Sequence, residues 1–414
     1  VPASVELTVT GSPADAEFLD GQIRAALDRQ IRPTLRPGAS VAYGPIVPWP
    51  LFPLEPQSRA AVDVTVTISA DDAFATVSGV TNVIVENAAT PPVKPVELFL
   101  SDDPEYVASE GLVFRGTVTP AKPARLYYYH ADAGPPRDLE LVLTAVAPAR
   151  VLVVPAKGGP DQDVGAVGHG ATHDLLYEEE HGEGTLLDVT PGAPLVLRHE
   201  LMLQDEVVAG AVDLAVLSGG AVTASIVASP AGGRALPYLA GPRLPVDGHN
   251  RHGTFDLRGF GELSAAYTVG GPDAAVRYGG RAVTPRNVDP ADSGRDYGDY
   301  GVVHRIVFTF TNPSNVAQNV YFYEKPLAGS VRSTFVVDGQ FKDVGCVRVP
   351  QPYWLMTYQL PPQSTTASTV VTMTDGGSYY PIEFGVTGTL ATAYTPPPHA
   401  PDGCSPGSAT VPVG

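Results

Sequence analysis

Four aspartates, Asp289, Asp292, Asp296 and Asp299, recur along a loop that also holds Gly294 and Gly298. Hard carboxylate oxygens on a glycine-containing loop are the donor set that calcium takes, although the spacing is not that of an EF-hand; solvated Asx turns are the plain alternative. His169 and His173 stand four residues apart, which on a helix puts both imidazoles on one face, with Asp161, Asp163 and Asp174 close in sequence. Two imidazoles and a carboxylate can bind zinc or copper; a turn-capping or surface role is the alternative. His199-Glu200 begins like the zinc-protease helix motif, but Leu203 stands where the second histidine is required. No G-x-S-x-G elbow, phosphate-cradling loop or dinucleotide fingerprint is present, so the expectation is a protein that is not an enzyme.

Tyrosines form a further set. Tyr127 with Tyr129 and Tyr321 with Tyr323 fall on shared strand faces, and Tyr379-Tyr380 follows a Gly-Gly turn. Rings with polar tips stack on sugars, which is the case for glycan binding; tyrosine equally closes the edge of a β core. Paired carboxylates for glycoside hydrolysis stay open, because their separation is a three-dimensional property. Cys346 and Cys404 are the only cysteines, too far apart for a short metal-ligand spacing, and are expected to form one disulfide.

These residues need elements to hold them. Gly 43 and Pro 42 suit many short strands joined by tight turns. The expected fold is mainly β: two β-sandwich or jelly-roll-like domains preceded by a small α+β domain, with boundaries at 1–90, 91–232 and 233–414. In the first unit Val5–Thr10 reads as a strand. A helix then starts with Ser12 as N-cap and Pro13 at its first position, carries Phe18, Leu19, Ile23, Ala26, Leu27 and Ile31 at helical spacing, and ends at Pro33. Strands Ala61–Ile68 and Val77–Val85 follow as partners. Between helix and strand, Gly44–Pro56 is rich in proline yet carries Trp49, Leu51, Phe52 and Leu54, an apolar arm that either wraps its own domain or docks on a neighbouring copy.

Asn87–Pro95 has the composition of a semi-rigid linker. Eight candidate strands then run from Leu112 to Ala228, interrupted by a short helix at Ala171–Glu180. The last domain carries Val302–Thr311, Asn319–Tyr323 and Ser330–Val337, read as a β-meander in which Ile306, Phe308 and Phe310 cover a core.

Tyr300-Gly301-Val302-Val303, Thr311-Asn312-Pro313 and Pro326–Arg332, together with Leu126–His130 and Gly159–Asp163, resemble an uncharacterised family of exported bacterial β-rich proteins over roughly residues 96–390. The resemblance implies export and an all-β body and supplies no activity. A start at Val1-Pro2 rather than Met fits a mature exported chain. The formal charge of −18, from 44 acidic against 26 basic residues, argues against nucleic acid, which is bound by neutralising phosphates. No apolar run is long enough to span a bilayer as a helix. The expected function is that of a structural protein at the bacterial surface: a subunit of a surface layer, fibre or appendage that assembles with copies of itself, or an adhesive module. A glycan-binding protein or carbohydrate-active enzyme, with polysaccharide as partner, is the alternative. No cofactor is expected beyond calcium.

Overall fold

The computed structural model describes residues 1–36, 38–48, 53–70, 74–249, 251–290, 292–350 and 352–389. The first stretch holds β1 (Ser4–Thr10), α1 (Ala16–Ile31), β2 (Ala39–Val47), β3 (Arg59–Ala70) and β4 (Phe74–Asn87). On β3 the alternation works as expected: Val62, Val64 and Val66 are buried under α1, which contributes Phe18, Leu19, Ile23, Leu27 and Ile31 to the same core. The helix starts later than the Ser12 signal. Asp15 is its N-cap, accepting from the Phe18 amide at 2.8 Å, while the Ser12 amide is committed to the carbonyl of His181 at 3.0 Å.

The apolar arm is to some extent a covering for its own unit. Leu54 is buried in the α1 core and exchanges both backbone hydrogen bonds with Ala14, at 2.8 and 3.1 Å. That corrects its reading as a contact residue between copies. Trp49, Leu51 and Phe52 lie outside the described residues.

The middle stretch holds β5 (Glu97–Ser101), β6 (Tyr106–Val107), β7 (Gly111–Val118), β8 (Ala124–Asp132), β9 (Arg137–Ala145), β10 (Ala149–Asp161), α2 (Val164–His181), β11 (Gly184–Val189), β12 (Leu195–Met202), β13 (Val207–Gly219) and β14 (Val222–Pro230). The last holds β15 (His252–Asp256), β16 (Glu262–Thr268), β17 (Ala274–Tyr278), β18 (Arg286–Asn287), β19 (Val303–Asn312), β20 (Gln318–Pro326), β21 (Ser330–Val337), β22 (Gln340–Arg348), β23 (Tyr353–Leu360), β24 (Ser364–Met373) and β25 (Ile382–Thr387).

The chain is mainly β. One 12-stranded sheet, in the order β18-β15-β5-β8-β13-β10-β11-β1-β4-β3-β2 with β6 beside β8, takes strands from all three stretches. The segment at 87–95 therefore does not separate one sheet from another: β1 pairs with β4 in parallel and with β11 antiparallel, Thr8 opposite Leu186. The sheet β12-β9-β14-β7 closes a sandwich over the middle of the long sheet, around Phe114, Leu126, Leu141, Val151, Val212 and Ile226. A second sandwich faces β16-β19-β24-β21-β22 against β17-β25-β20-β23.

In that second sandwich β19 and β20 are not hairpin partners, which corrects the meander. They lie in opposite sheets, and Phe308 and Phe310 meet Phe322 edge-on across the core at 5.5 and 5.8 Å. The turn between them is pulled across by Asn312, whose side-chain amide donates to the carbonyls of Val316 and Pro361 at 2.9 and 2.8 Å. The second helix is also longer than its expected span. Asp163 caps it by accepting from the Ala166 amide at 3.0 Å, and Gly182 ends it in the left-handed conformation, φ 65°.

Candidate functional site

The helix α2 lies on the outer face of the long sheet and also touches the second sandwich, so its neighbours come from every stretch of the chain. Beneath it, β8 alternates: Leu126 and Tyr128 enter the first sandwich core, while Tyr127 and Tyr129 turn outward with Ala156, Val167, Leu175, Val302 and Met373. Arg125 shares that outward face. Its guanidinium meets both oxygens of Asp213 at 2.7 and 2.9 Å, contacts Glu179, and donates to the carbonyl of Gly301 at 3.2 Å. One side chain thus ties β8, β13, α2 and the loop before β19.

The tyrosines belong to this seam. Tyr127 stacks on Tyr300 at 6.1 Å, and Arg251 sits over the other ring of that pair at 5.8 Å while pairing with Asp102 and Glu105. Tyr127 and Tyr129 are 1% and 6% exposed, because β8 is a central strand covered on both faces, and Tyr323 is likewise buried. None of the three has a face open to a sugar, which corrects the stacking reading for them. Tyr380 contributes its hydroxyl oxygen to the Asp375 amide at 2.7 Å; Tyr379 alone of its pair is exposed.

The acidic loop divides. Asp296 and Asp299 are buried: one accepts from the Tyr300 amide at 2.9 Å, the other from the Gly279 amide at 2.9 Å, with the His304 imidazole 3.7 Å away. Burial pushes the Asp299 carboxyl up to about 7 and Asp296 well above its ordinary value, and pushes His304 down to about 3. Asp289 and Asp292 instead line a cavity of about 360 Å³ with Asp103 and His252, whose Nε2 is 3.1 Å from Asp292. The four carboxylates therefore do not converge on one point. Among the described residues no group of three or more His, Cys, Asp or Glu side chains is placed to hold a metal ion.

His169 and His173 do share a face of α2, but their partners come from elsewhere. His169 Nδ1 is 2.8 Å from Asp375, His173 Nδ1 is 3.0 Å from Asp343, and His169 Nε2 is 3.6 Å from the same Asp343 oxygen. Burial lowers the His169 pKa, yet the hydrogen bond to Asp375 and its charge raise it further, for a net rise; the hydrogen bond to Asp343 raises His173. Asp161 and Asp163 serve the helix start, and Asp163 also meets Arg332 at 3.0 Å. His199 lies on the strand β12, 3.2 Å from Asp138, so the partial protease motif is not helical. Cys346 lies on β22, and Cys404 is outside the described residues.

A cavity of about 330 Å³ at the carboxyl end of α2 went unread in the sequence. Glu178, Glu179 and Glu183 line it with Arg125 and Asp213. Glu183 is 1% exposed; its Oε1 accepts from the Asp15 amide at 2.6 Å, while its Oε2 has no hydrogen-bond partner. Burial pushes Glu179 and Glu183 up to about 7 and Glu178 well above its ordinary value. The run Glu178-Glu179-Glu180 before His181-Gly182-Glu183 was the available signal.

No protein-family model and no curated protein matches the chain. Among solved structures, Lac15 from a marine microbial metagenome aligns over 76% of this chain and 69% of its own, at 11% identity and a TM-score of 0.13. The PBSX exported protein XepA aligns over 67% of this chain and 86% of its own, at 7% identity and a TM-score of 0.16. Similarity at these scores transfers neither a fold nor a function.

Proposed function

We propose that the chain is a structural, non-catalytic protein of the bacterial exterior: a subunit of a surface layer, fibre or appendage, or an adhesive module. One observation carries this reading. The side chains Arg125, Tyr127, His169, Arg251, Asp296 and Asp299 are engaged in contacts between layers, which tie the three stretches into one body. Such a body transmits strain because its elements cannot slide separately. The remaining residues of the arm, Trp49, Leu51 and Phe52, are the proposed contact between copies, since large apolar side chains gain about 1.5–3 kcal/mol each on full burial. A net charge of −18 opposes the approach of copies, so assembly should strengthen with salt.

The test is particle mass and imaging of the purified native protein across concentration and salt, beside a binding and cleavage screen on a polysaccharide panel. A defined assembly that grows with salt, weakens in the double variant Trp49→Ser/Phe52→Ser and ignores the panel is the expected result. A protein that stays monomeric throughout, or that cleaves a polysaccharide, would overturn the reading.

A further inference from the structure

We infer that the cavity at the carboxyl end of α2 is a binding site for an organic cation, a primary or secondary amine carried on a compact apolar body. At about 330 Å³ it lies at the small end of the range of ligand pockets, roughly 300–1,000 Å³. Its walls are mostly apolar, with Val154, Leu176, Leu257, Phe260, Val302 and Val371 among them. At its rim Lys94 and Glu262 form an exposed ion pair of 2.8 Å.

The polar groups inside are unevenly matched. Glu178, Glu179, Glu183 and Asp213 share the cavity with three cations: the guanidinium of Arg125 is already taken up by both oxygens of Asp213 and by Glu179, Lys94 is paired with Glu262 at the rim, and Arg305 is exposed. Glu178 and Glu183 are left with one buried oxygen each, both Oε2, that has no hydrogen-bond partner. A buried carboxyl oxygen without a donor is costly, and native interiors leave few of them. The carboxyl end of an 18-residue helix adds the negative end of its dipole at the same place. What the two Oε2 atoms lack is a donor, and a charged one suits the carboxyls around them.

The walls select among cations. A hard metal ion needs a converging shell of oxygens, and no group of three ligating side chains converges here among the described residues. An ammonium on an apolar body satisfies both sides of the cavity: its N–H groups reach the carboxyl oxygens, and its carbon skeleton covers Val302 and Phe260. An anion would meet the four carboxyls, and a neutral alcohol of the same shape would donate one hydrogen bond to them without bringing a charge.

The experiment is isothermal titration calorimetry and thermal melting of the full chain with cyclohexylamine, with cyclohexanol as neutral isostere and with calcium chloride. It is buffered at about pH 8, above the value of about 7 to which burial pushes Glu179 and Glu183. The amine should bind at one site and raise the melting temperature, and the alcohol should bind at least about tenfold more weakly. Glu183→Gln keeps the acceptor for the Asp15 amide and removes the charge, so it should fold and lose about tenfold in amine affinity. Glu178→Gln is the second variant, with the same expectation if Glu183→Gln does not fold. Equal affinity for amine and alcohol, unchanged affinity in both variants, no binding at millimolar amine, or stabilisation by calcium without stabilisation by cyclohexylamine would each overturn the proposal.

Discussion

Arg125 shows how a single residue decides whether the layers stay together. Its side chain is 3% exposed and its partner Asp213 is 5% exposed, 88 residues away in sequence. Neither residue belongs to a motif, and nothing in the alternation of β8 marks Arg125 apart from its being a charge in an apolar strand. That was a legible oddity whose partner was not, because strand pairing between β8 and β13 is a long-range event. Removing one member of a buried pair leaves the other charge stranded, so Arg125→Ala should cost about 3–5 kcal/mol in urea denaturation. Replacing both by Met and Leu should recover most of that loss, since a well-packed apolar pair is often neutral or better. A cost below about 1 kcal/mol for the single variant would mean that Asp213 finds water or another partner. Cys346 and Cys404 pose a separate question at the same scale. The proposed disulfide predicts that neither thiol is alkylated until the protein is reduced, and an intact mass showing two alkyl groups without reduction would exclude it.

At the scale of elements, the strands were the legible feature. All eight strands expected between Leu112 and Ala228 are present, because turn residues punctuate them and apolar residues fill them. The helix α2 was underestimated because Gly165, Gly168 and Gly170 lower its propensity. One of these glycines answers to packing: a Cβ at Gly168 would stand 1.9 Å from the Gly376 carbonyl oxygen, whereas one at Gly165 or Gly170 would meet nothing closer than 3.6 Å. Gly21 in α1 meets nothing within 4 Å. The two positions therefore predict opposite signs for one chemical change. Gly21→Ala should stabilise by about 0.5–1 kcal/mol through helix propensity, whereas Gly168→Ala should destabilise by about 1–3 kcal/mol because backbone must move. Melting curves of the two variants decide it; a neutral or stabilising Gly168→Ala would show that α2 and the 376 loop are not tightly docked. The β19–β20 connection was misread for a related reason. Turn residues state that the chain reverses, and only the packing of Phe322 against Phe308 and Phe310 states that it reverses into the opposite sheet.

At the scale of the molecule, the unusual feature is the amount of ionisable surface buried where the layers meet, and it fixes a pH dependence of stability. Burial pushes Asp299 and Glu183 up to about 7 and Asp102 and Glu324 up to about 8, and His169, His173 and His249 are raised by their carboxylate partners. A raised folded pKa means that the native state holds a proton the unfolded chain has released. The stability from such a carboxyl is complete below its unfolded value, about 4, and is lost as pH rises through 7 to 8. The raised histidines lose theirs upward from about 6.5. His304 and His130, pushed by burial down to about 3 and about 4, act oppositely, but only below about 6.5, where the unfolded chain begins to protonate them. The two sets therefore oppose each other in acid and leave one sign above it. Between about pH 6.5 and about pH 8 stability should fall, with each carboxyl still protonated contributing a slope of up to about 1.4 kcal/mol per pH unit. General repulsion in a chain of charge −18 has the same sign, so single variants must separate the causes. Asp299→Asn and Glu324→Gln remove one titration each and should flatten the slope of urea midpoint against pH, an effect that survives added salt because both groups are buried. A midpoint that is flat or rising over this range, or slopes identical in wild type and both variants, would mean that these carboxyls are ionised and solvated and that the layers come apart more readily than their packing implies.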